Sequence, residues 1–129
     1  MNFPEELHYT ASHEWIRVVG NVATVGITAF AVEQLSDLVF VELPESGTAV
    51  DKEQTFGEIE STKTVSELFA PVGGTIVEVN SAIVDKLDLV KESPYEDGWM
   101  IKIEISDMTE LDSLLSASQY LQQVTTEEH

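Results

Sequence analysis

The side chain best placed for covalent chemistry is Lys63. It is one of only five lysines and lies in Gly57-Glu58-Ile59-Glu60-Ser61-Thr62-Lys63-Thr64-Val65-Ser66-Glu67. Two strand-like runs, Thr55 to Glu60 and Val65 to Ala70, meet at Ser61-Thr62-Lys63-Thr64. A lysine at a hairpin tip projects into solvent, because both strands lead away from it. Its flexible four-carbon stem makes it a good attachment point, and the rigid turn gives a modifying enzyme something to recognise. Taken alone, a turn lysine is more simply read as a charge that keeps an acidic hairpin soluble.

Other reactive constellations are missing. His13-Glu14 matches the start of a zinc-protease helix, but position 17 is Arg rather than the second His. The three histidines, at 8, 13 and 129, have no ligand spacing, so no metal site is expected. The carboxylates form no Asp-x-Asp-x-Asp-Gly calcium loop. There is no Gly-x-Ser-x-Gly elbow and no cysteine nucleophile. Gly73-Gly74 leads into a strand rather than a helix, so it is not a phosphate loop. Glu14 and Glu67 are an acid–base pair by residue type only, among 24 acidic residues. No catalytic residue is therefore expected.

Composition narrows the partners. Six basic residues against 24 acidic ones give a net charge of −18 over 129 residues. That disfavours nucleic acid, whose affinity depends on Lys and Arg neutralising phosphates, and an anionic membrane surface. It favours partners with basic docking surfaces. No apolar run approaches the roughly 20 residues of a bilayer span. The absence of cysteine excludes disulfides and thiolate metal sites and fits a reducing compartment. Residues 1–10 have neither a basic start with an apolar stretch nor any Arg, so neither a signal nor a transit peptide is expected there. The expectation is a bacterial cytoplasmic protein; a processed organellar form would belong in the mitochondrial matrix.

Many short strands punctuated by Gly and Pro must position Lys63. Trp15 to Val19 and Val22 to Ile27 read as a hairpin across Gly20-Asn21. Thr28 can cap a helix running to about Leu38, with Val32, Leu35 and Leu38 on one face. Strands are expected at Val39 to Leu43 and at Thr75 to Val79, the latter alternating with one wet face. A helical turn is expected near Val84 to Val90. Trp99, Ile101, Ile103 and Ile105 alternate with Met100, Lys102 and Glu104, which predicts a strand with the first set inward. Asp107 and Glu110 resemble a capping box opening a C-terminal helix packed by Leu111, Leu114 and Leu115, and the polar end from Gln122 is expected to fray. The fold class expected is mainly β: one domain, residues 1–129, an antiparallel sandwich or flattened barrel with short peripheral helices and a C-terminal helix.

One further pattern lies seven residues beyond the lysine. Ala70-Pro71-Val72-Gly73-Gly74 leads into the strand Thr75 to Val79, an arrangement shared by swinging-arm domains. Over nearly its whole length the chain resembles the H protein of the glycine cleavage system. The matching segments are Ser12-His13-Glu14-Trp15, Val25-Gly26-Ile27-Thr28, Val39-Phe40-Val41-Glu42-Leu43-Pro44, Glu60-Ser61-Thr62-Lys63, Ala70-Pro71-Val72-Gly73-Gly74, Ser93-Pro94-Tyr95-Glu96-Asp97-Gly98-Trp99 and Glu110-Leu111-Asp112-Ser113-Leu114-Leu115. Several independent segments in the right order make the match specific.

The resemblance implies a lipoyl/biotinyl-carrier type of fold and lipoate in amide linkage to Lys63, with Glu60 and Ser61 as the attachment motif. It implies a non-catalytic carrier that shuttles the aminomethyl group of glycine. The group comes from a pyridoxal-phosphate-dependent glycine dehydrogenase (decarboxylating) and goes to a tetrahydrofolate-dependent aminomethyltransferase. Dihydrolipoyl dehydrogenase then reoxidises the arm, which a lipoate ligase or lipoyltransferase first attaches. Glu14, with Ser12 and Glu67, is the candidate pocket for the arm's amine, and Leu35 or Phe30 would cover its alkyl chain. A chain without cysteine cannot trap a dithiol arm as a mixed disulfide. The alternative is an H-like protein that relays lipoyl groups to other proteins. Biotin carriers usually flank their lysine with Met, where this chain has Thr62 and Thr64. Two positions depart from the family pattern: Ala29-Phe30-Ala31 stands where Asp-His-Ala is frequent, and Glu67 where Asp is.

Overall fold

The computed structural model describes residues 3–127. The Gly20-Asn21 link does close a hairpin, between β2 (Glu14–Val19) and β3 (Val22–Ile27), with Gly20 in the left-handed region at φ 62°. Trp15 stands opposite Gly26, and a side chain there would bring its Cβ within 2.6 Å of the indole nitrogen. The missing side chain leaves room for Trp15 to lie fully buried and donate to the Pro94 carbonyl at 2.9 Å.

Around this hairpin a six-stranded antiparallel sheet has the order β1-β2-β3-β9-β8-β5, with β1 His8–Tyr9, β5 Ala49–Val50, β8 Gly74–Val79 and β9 Ile101–Ile105. A second antiparallel sheet has the order β4-β6-β7, with β4 Leu38–Glu42, β6 Thr55–Ser61 and β7 Val65–Phe69. The core packs between them. Ile16, Val25, Ile76, Ile101 and Ile103 from the first sheet meet Val41, Ile59 and Leu68 from the second. The two-sheet, mainly antiparallel architecture with a C-terminal helix is the one expected from the strand pattern.

Gly74 explains why the turn before β8 needs a glycine: a Cβ there would fall 1.9 Å from the Glu104 carbonyl oxygen. Ala70, Pro71 and Val72, all buried, lock the same turn into the core.

Several local expectations fail for physical reasons. Thr28 caps α1 (Ala29–Leu35) by accepting from the Ala31 amide at 3.2 Å, but the helix ends at Leu35 because Ser36 turns to φ 70°; Leu38 begins β4 instead. The turn near Val84 to Val90 is two short helices, α2 (Ala82–Asp85) and α3 (Asp88–Glu92). The alternation of β8 is broken by a bulge between Ile76 and Glu78.

Trp99 precedes β9 and is only partly buried under the Lys102 ammonium, whereas Met100 is buried. The Asn80 side chain holds the Asp97 and Trp99 carbonyls at 2.9 and 2.7 Å, shaping the approach to the strand.

Leu111, Leu114 and Leu115 do not belong to the C-terminal helix. Asp107 caps a 3₁₀ segment, Met108–Ser113, but Glu110 does not close the box; it accepts from the Gly73 amide at 2.8 Å. Leu115 pairs with Tyr9 through two backbone bonds, an extended conformation that a helix cannot provide. The C-terminal helix α4 (Ala117–Glu127) is packed by Tyr120 and Val124 on a second cluster with Phe3, Leu7, Tyr9, Trp15 and Phe30. It is helical through Glu127 rather than frayed from Gln122; Glu128 and His129 lie outside the described residues.

Candidate functional site

The site begins at the turn joining β6 to β7. Ser61 is 4% exposed, and its Oγ accepts from the amides of Lys63 at 3.2 Å and Thr64 at 3.1 Å. The Ser61 amide donates to the Thr64 carbonyl at 2.8 Å, and the Thr62 amide donates to the Asp37 carbonyl at 3.0 Å. The turn is thus tied to its own strand and to the segment leading into β4. Lys63 stands at its tip, exposed, and its ammonium makes no ion pair among the described residues. Glu60 is exposed on β6, opposite Val65.

A cavity of about 110 Å³ opens beside the same hairpin, lined by Ser12, Glu14, Leu35, Ile59, Ser66 and Glu67 among others. Lys63 is three residues from Ser66 in sequence, roughly 10 Å along an extended chain. A lysine extended by a lipoyl chain spans that distance, so the pocket and turn fit such a group.

Glu14 is only 1% exposed, not a solvated strand-end charge. Its Oε1 accepts from Thr10 Oγ1 at 2.7 Å and Ser12 Oγ at 2.5 Å, and its Oε2 accepts from the Phe69 amide at 3.4 Å. Burial raises its carboxyl above the ordinary range, and these donors pull it partly back. Glu14 also borders a larger cavity of about 530 Å³ with Thr10, Ser12 and Lys52, and a buried carboxyl bordering open space favours an ammonium ligand that would complete its pairing.

Ser12, Glu14 and Leu35 line one cavity; Glu67 borders it, but its register opposite Glu58 turns its side chain to the outer face of the sheet, where its carboxylate makes no hydrogen bond among the described residues. Phe30 does not line the cavity; it is buried in the second cluster, its ring 5.0 Å from that of His13.

Two contributors carried too little sequence signal to be found. Thr10 reaches Glu14 only because the chain turns sharply at His13, which holds φ 77°. His13 lines the cavity, and its ring joins Tyr120 Oη at 2.7 Å and Glu127 at 3.4 Å. Burial lowers the His13 pKa, with Glu127 opposing that shift. Its role as a link to the C-terminal helix depends on a contact 107 positions away, which no local pattern encodes.

Comparison with known proteins places the whole chain in one family. The family described as "Glycine cleavage H-protein" matches residues 7–127. A glycine cleavage system H protein of Geobacillus thermodenitrificans is 56% identical over 120 residues, covering 93% of this chain and 94% of that protein. One from Staphylococcus epidermidis is 53% identical over 124 residues, covering 96% and 98% respectively. The crystal structure of a glycine cleavage system H protein from Mycobacterium marinum superposes with a TM-score of 0.87 at 45% identity, covering 94% of this chain and 98% of that one. The chain belongs to the glycine cleavage H-protein family, the lipoyl-bearing carriers of the glycine cleavage system.

Proposed function

We propose that Lys63 is the residue that bears the lipoyl group, with Glu60 and Ser61 presenting it to the attaching enzyme. The observation that carries this reading is the turn itself: an exposed lysine without an ion pair among the described residues, on a backbone held by Ser61 Oγ and by Asp37. When bound, the lipoyl disulfide supplies the sulfur that takes up the aminomethyl group and the redox couple that is later reset.

The chain's own part is positioning. Ser61 fixes the direction in which Lys63 leaves the hairpin. Glu14, aligned by Thr10 and Ser12, offers a carboxyl oxygen to an ammonium entering the cavity, with Leu35 beside the alkyl chain. No side chain of this protein is assigned a catalytic step. The partners would be glycine dehydrogenase (decarboxylating), aminomethyltransferase, dihydrolipoyl dehydrogenase, and the lipoate ligase or lipoyltransferase. Residues 1–129 act as one carrier domain, and the compartment would be the bacterial cytoplasm.

The test is reconstitution. Lipoylated protein should support exchange of the glycine carboxyl with bicarbonate by the decarboxylating partner. Lys63→Arg, treated with the same ligase, lipoate and ATP, should support none. Exchange sustained by Lys63→Arg at the wild-type rate would refute the assignment.

A further inference from the structure

The outer face of the small sheet is unusual beside Lys63. Val39, Phe40 and Val65 are 51%, 51% and 54% exposed, among the most exposed large apolar side chains in the protein. They are brought together by register. Phe40 stands across from Glu60, and Glu60 across from Val65, so the three share one row over about 10 Å of sheet. A bulge between Leu38 and Phe40 puts the extra residue, Val39, into solvent beside Phe40 instead of letting the strand alternate. The neighbouring row is Glu42, Glu58 and Glu67, three exposed carboxylates directly across from one another. Like charges so placed destabilise a sheet, and β4, β6 and β7 carry no Lys or Arg to relieve them. A partner carrying Lys or Arg would offset this repulsion, and an apolar depression on it would cover Phe40 and Val65.

We propose that this face is the docking surface for the enzyme that forms the lipoyl amide at Lys63; the inference rests on the assignment of Lys63 above. Amide formation joins the Lys63 Nζ to an activated lipoyl carbonyl, with loss of the activating group and a proton. It requires the enzyme's reacting atoms to come within bonding distance of Nζ. Val65 is two residues from Lys63 and Glu60 three, so an enzyme closed on Nζ also covers the Phe40–Glu60–Val65 row. Partners that act on the dithiolane meet it on the order of 10 Å beyond Nζ, at about 1.5 Å per carbon–carbon bond, and need not touch this face. The docking partner is therefore an enzyme with an apolar depression for Phe40 and Val65, rimmed by Lys or Arg facing Glu42, Glu58 and Glu67.

The test compares initial rates of lipoylation by a lipoate ligase with lipoate and ATP, read by intact mass. Phe40→Thr/Val65→Thr keeps residues suited to strands and changes only exposed side chains. It should lower kcat/KM at least tenfold, mainly through KM. Phe40→Leu should stay within threefold of wild type, and so should Val77→Thr, an exposed apolar site on the other sheet. Glu42→Gln/Glu58→Gln/Glu67→Gln should flatten the fall in rate with added salt. Once loaded by prolonged incubation, the Thr double variant should be reduced by dihydrolipoyl dehydrogenase and NADH at the wild-type rate. Equal lipoylation of the double variant and wild type would overturn the proposal, as would an equal loss in the dehydrogenase assay. Failure of the wild type to be lipoylated would instead overturn the assignment of Lys63 itself.

Discussion

Ser61→Ala isolates the contribution of the turn. Ser61 Oγ accepts from two amides, Lys63 and Thr64, and also contacts the Thr64 carbonyl at 3.3 Å. Each amide bond contributes a net ~0.5–1.5 kcal/mol, so losing both should weaken the closed turn by about 1–3 kcal/mol. That corresponds to a factor of roughly 5 to 150 in the equilibrium between closed and open turn. The strands are not expected to separate, because the Ser61 amide keeps its bond to the Thr64 carbonyl and the Thr62 amide its bond to Asp37. The assay is amide hydrogen exchange of Lys63 and Thr64, the two amides that lose their acceptor, together with lipoylation kinetics. Exchange at these amides should accelerate by the factor just given, with protection of the Ile103 amide unchanged, and kcat/KM for lipoylation should fall several-fold. Unchanged exchange at both amides would show that Ser61 does not hold the turn. Faster exchange with an undiminished lipoylation rate would show that the attaching enzyme does not need it held.

Other outcomes follow from the same geometry. Glu14→Ala should leave lipoylation and fold intact but shorten the lifetime of the aminomethyl-loaded protein, seen as faster release of formaldehyde and ammonia; rates equal to wild type for Glu14→Ala and for Glu14→Ala/Glu67→Ala would clear these carboxylates of any guarding role. The raised Glu14 pKa means that the folded state holds this proton more tightly than the unfolded chain, so its contribution to stability falls as pH rises above the ordinary carboxylate value. Glu14→Gln removes that slope: urea unfolding from about pH 4 to about pH 7 should show the variant gaining on wild type, and parallel curves would contradict the burial argument. Ile103→Ala, at a fully buried position between Ala23 and Ile76, should cost about 2–5 kcal/mol by urea denaturation while the β-type circular-dichroism spectrum persists.

The parts of the fold legible in the sequence were those set by local pattern. The Gly20-Asn21 turn, the Thr28 cap and the two strands around Lys63 each carry their signal within a few residues. The errors came where a distant partner decides the local conformation. Leu111, Leu114 and Leu115 have helical spacing, yet Tyr9 recruits Leu115 into a bridge and the Gly73 amide takes Glu110. Trp99 lost its expected inward position to Asn80, which grips the two carbonyls on either side of Gly98.

The site divides the same way. That Lys63 stands exposed at a hairpin tip was readable because the two flanking strands carry their own local pattern. The burial of Glu14 was not, because the donors that allow it come from the bend at His13 and from Phe69 in another sheet. The exposure of Val39 beside Phe40 was invisible as well, since a bulge is a property of strand pairing and not of one strand's sequence.

Lys63 as the attachment point is tested most directly by where the protein is modified in the cells that make it. Peptide mass mapping of the natively expressed protein should find lipoate in amide linkage on the peptide containing Lys63, with Lys52, Lys86, Lys91 and Lys102 unmodified. Lipoate on any of those four, or a native population with Lys63 bare in cells actively cleaving glycine, would contradict it.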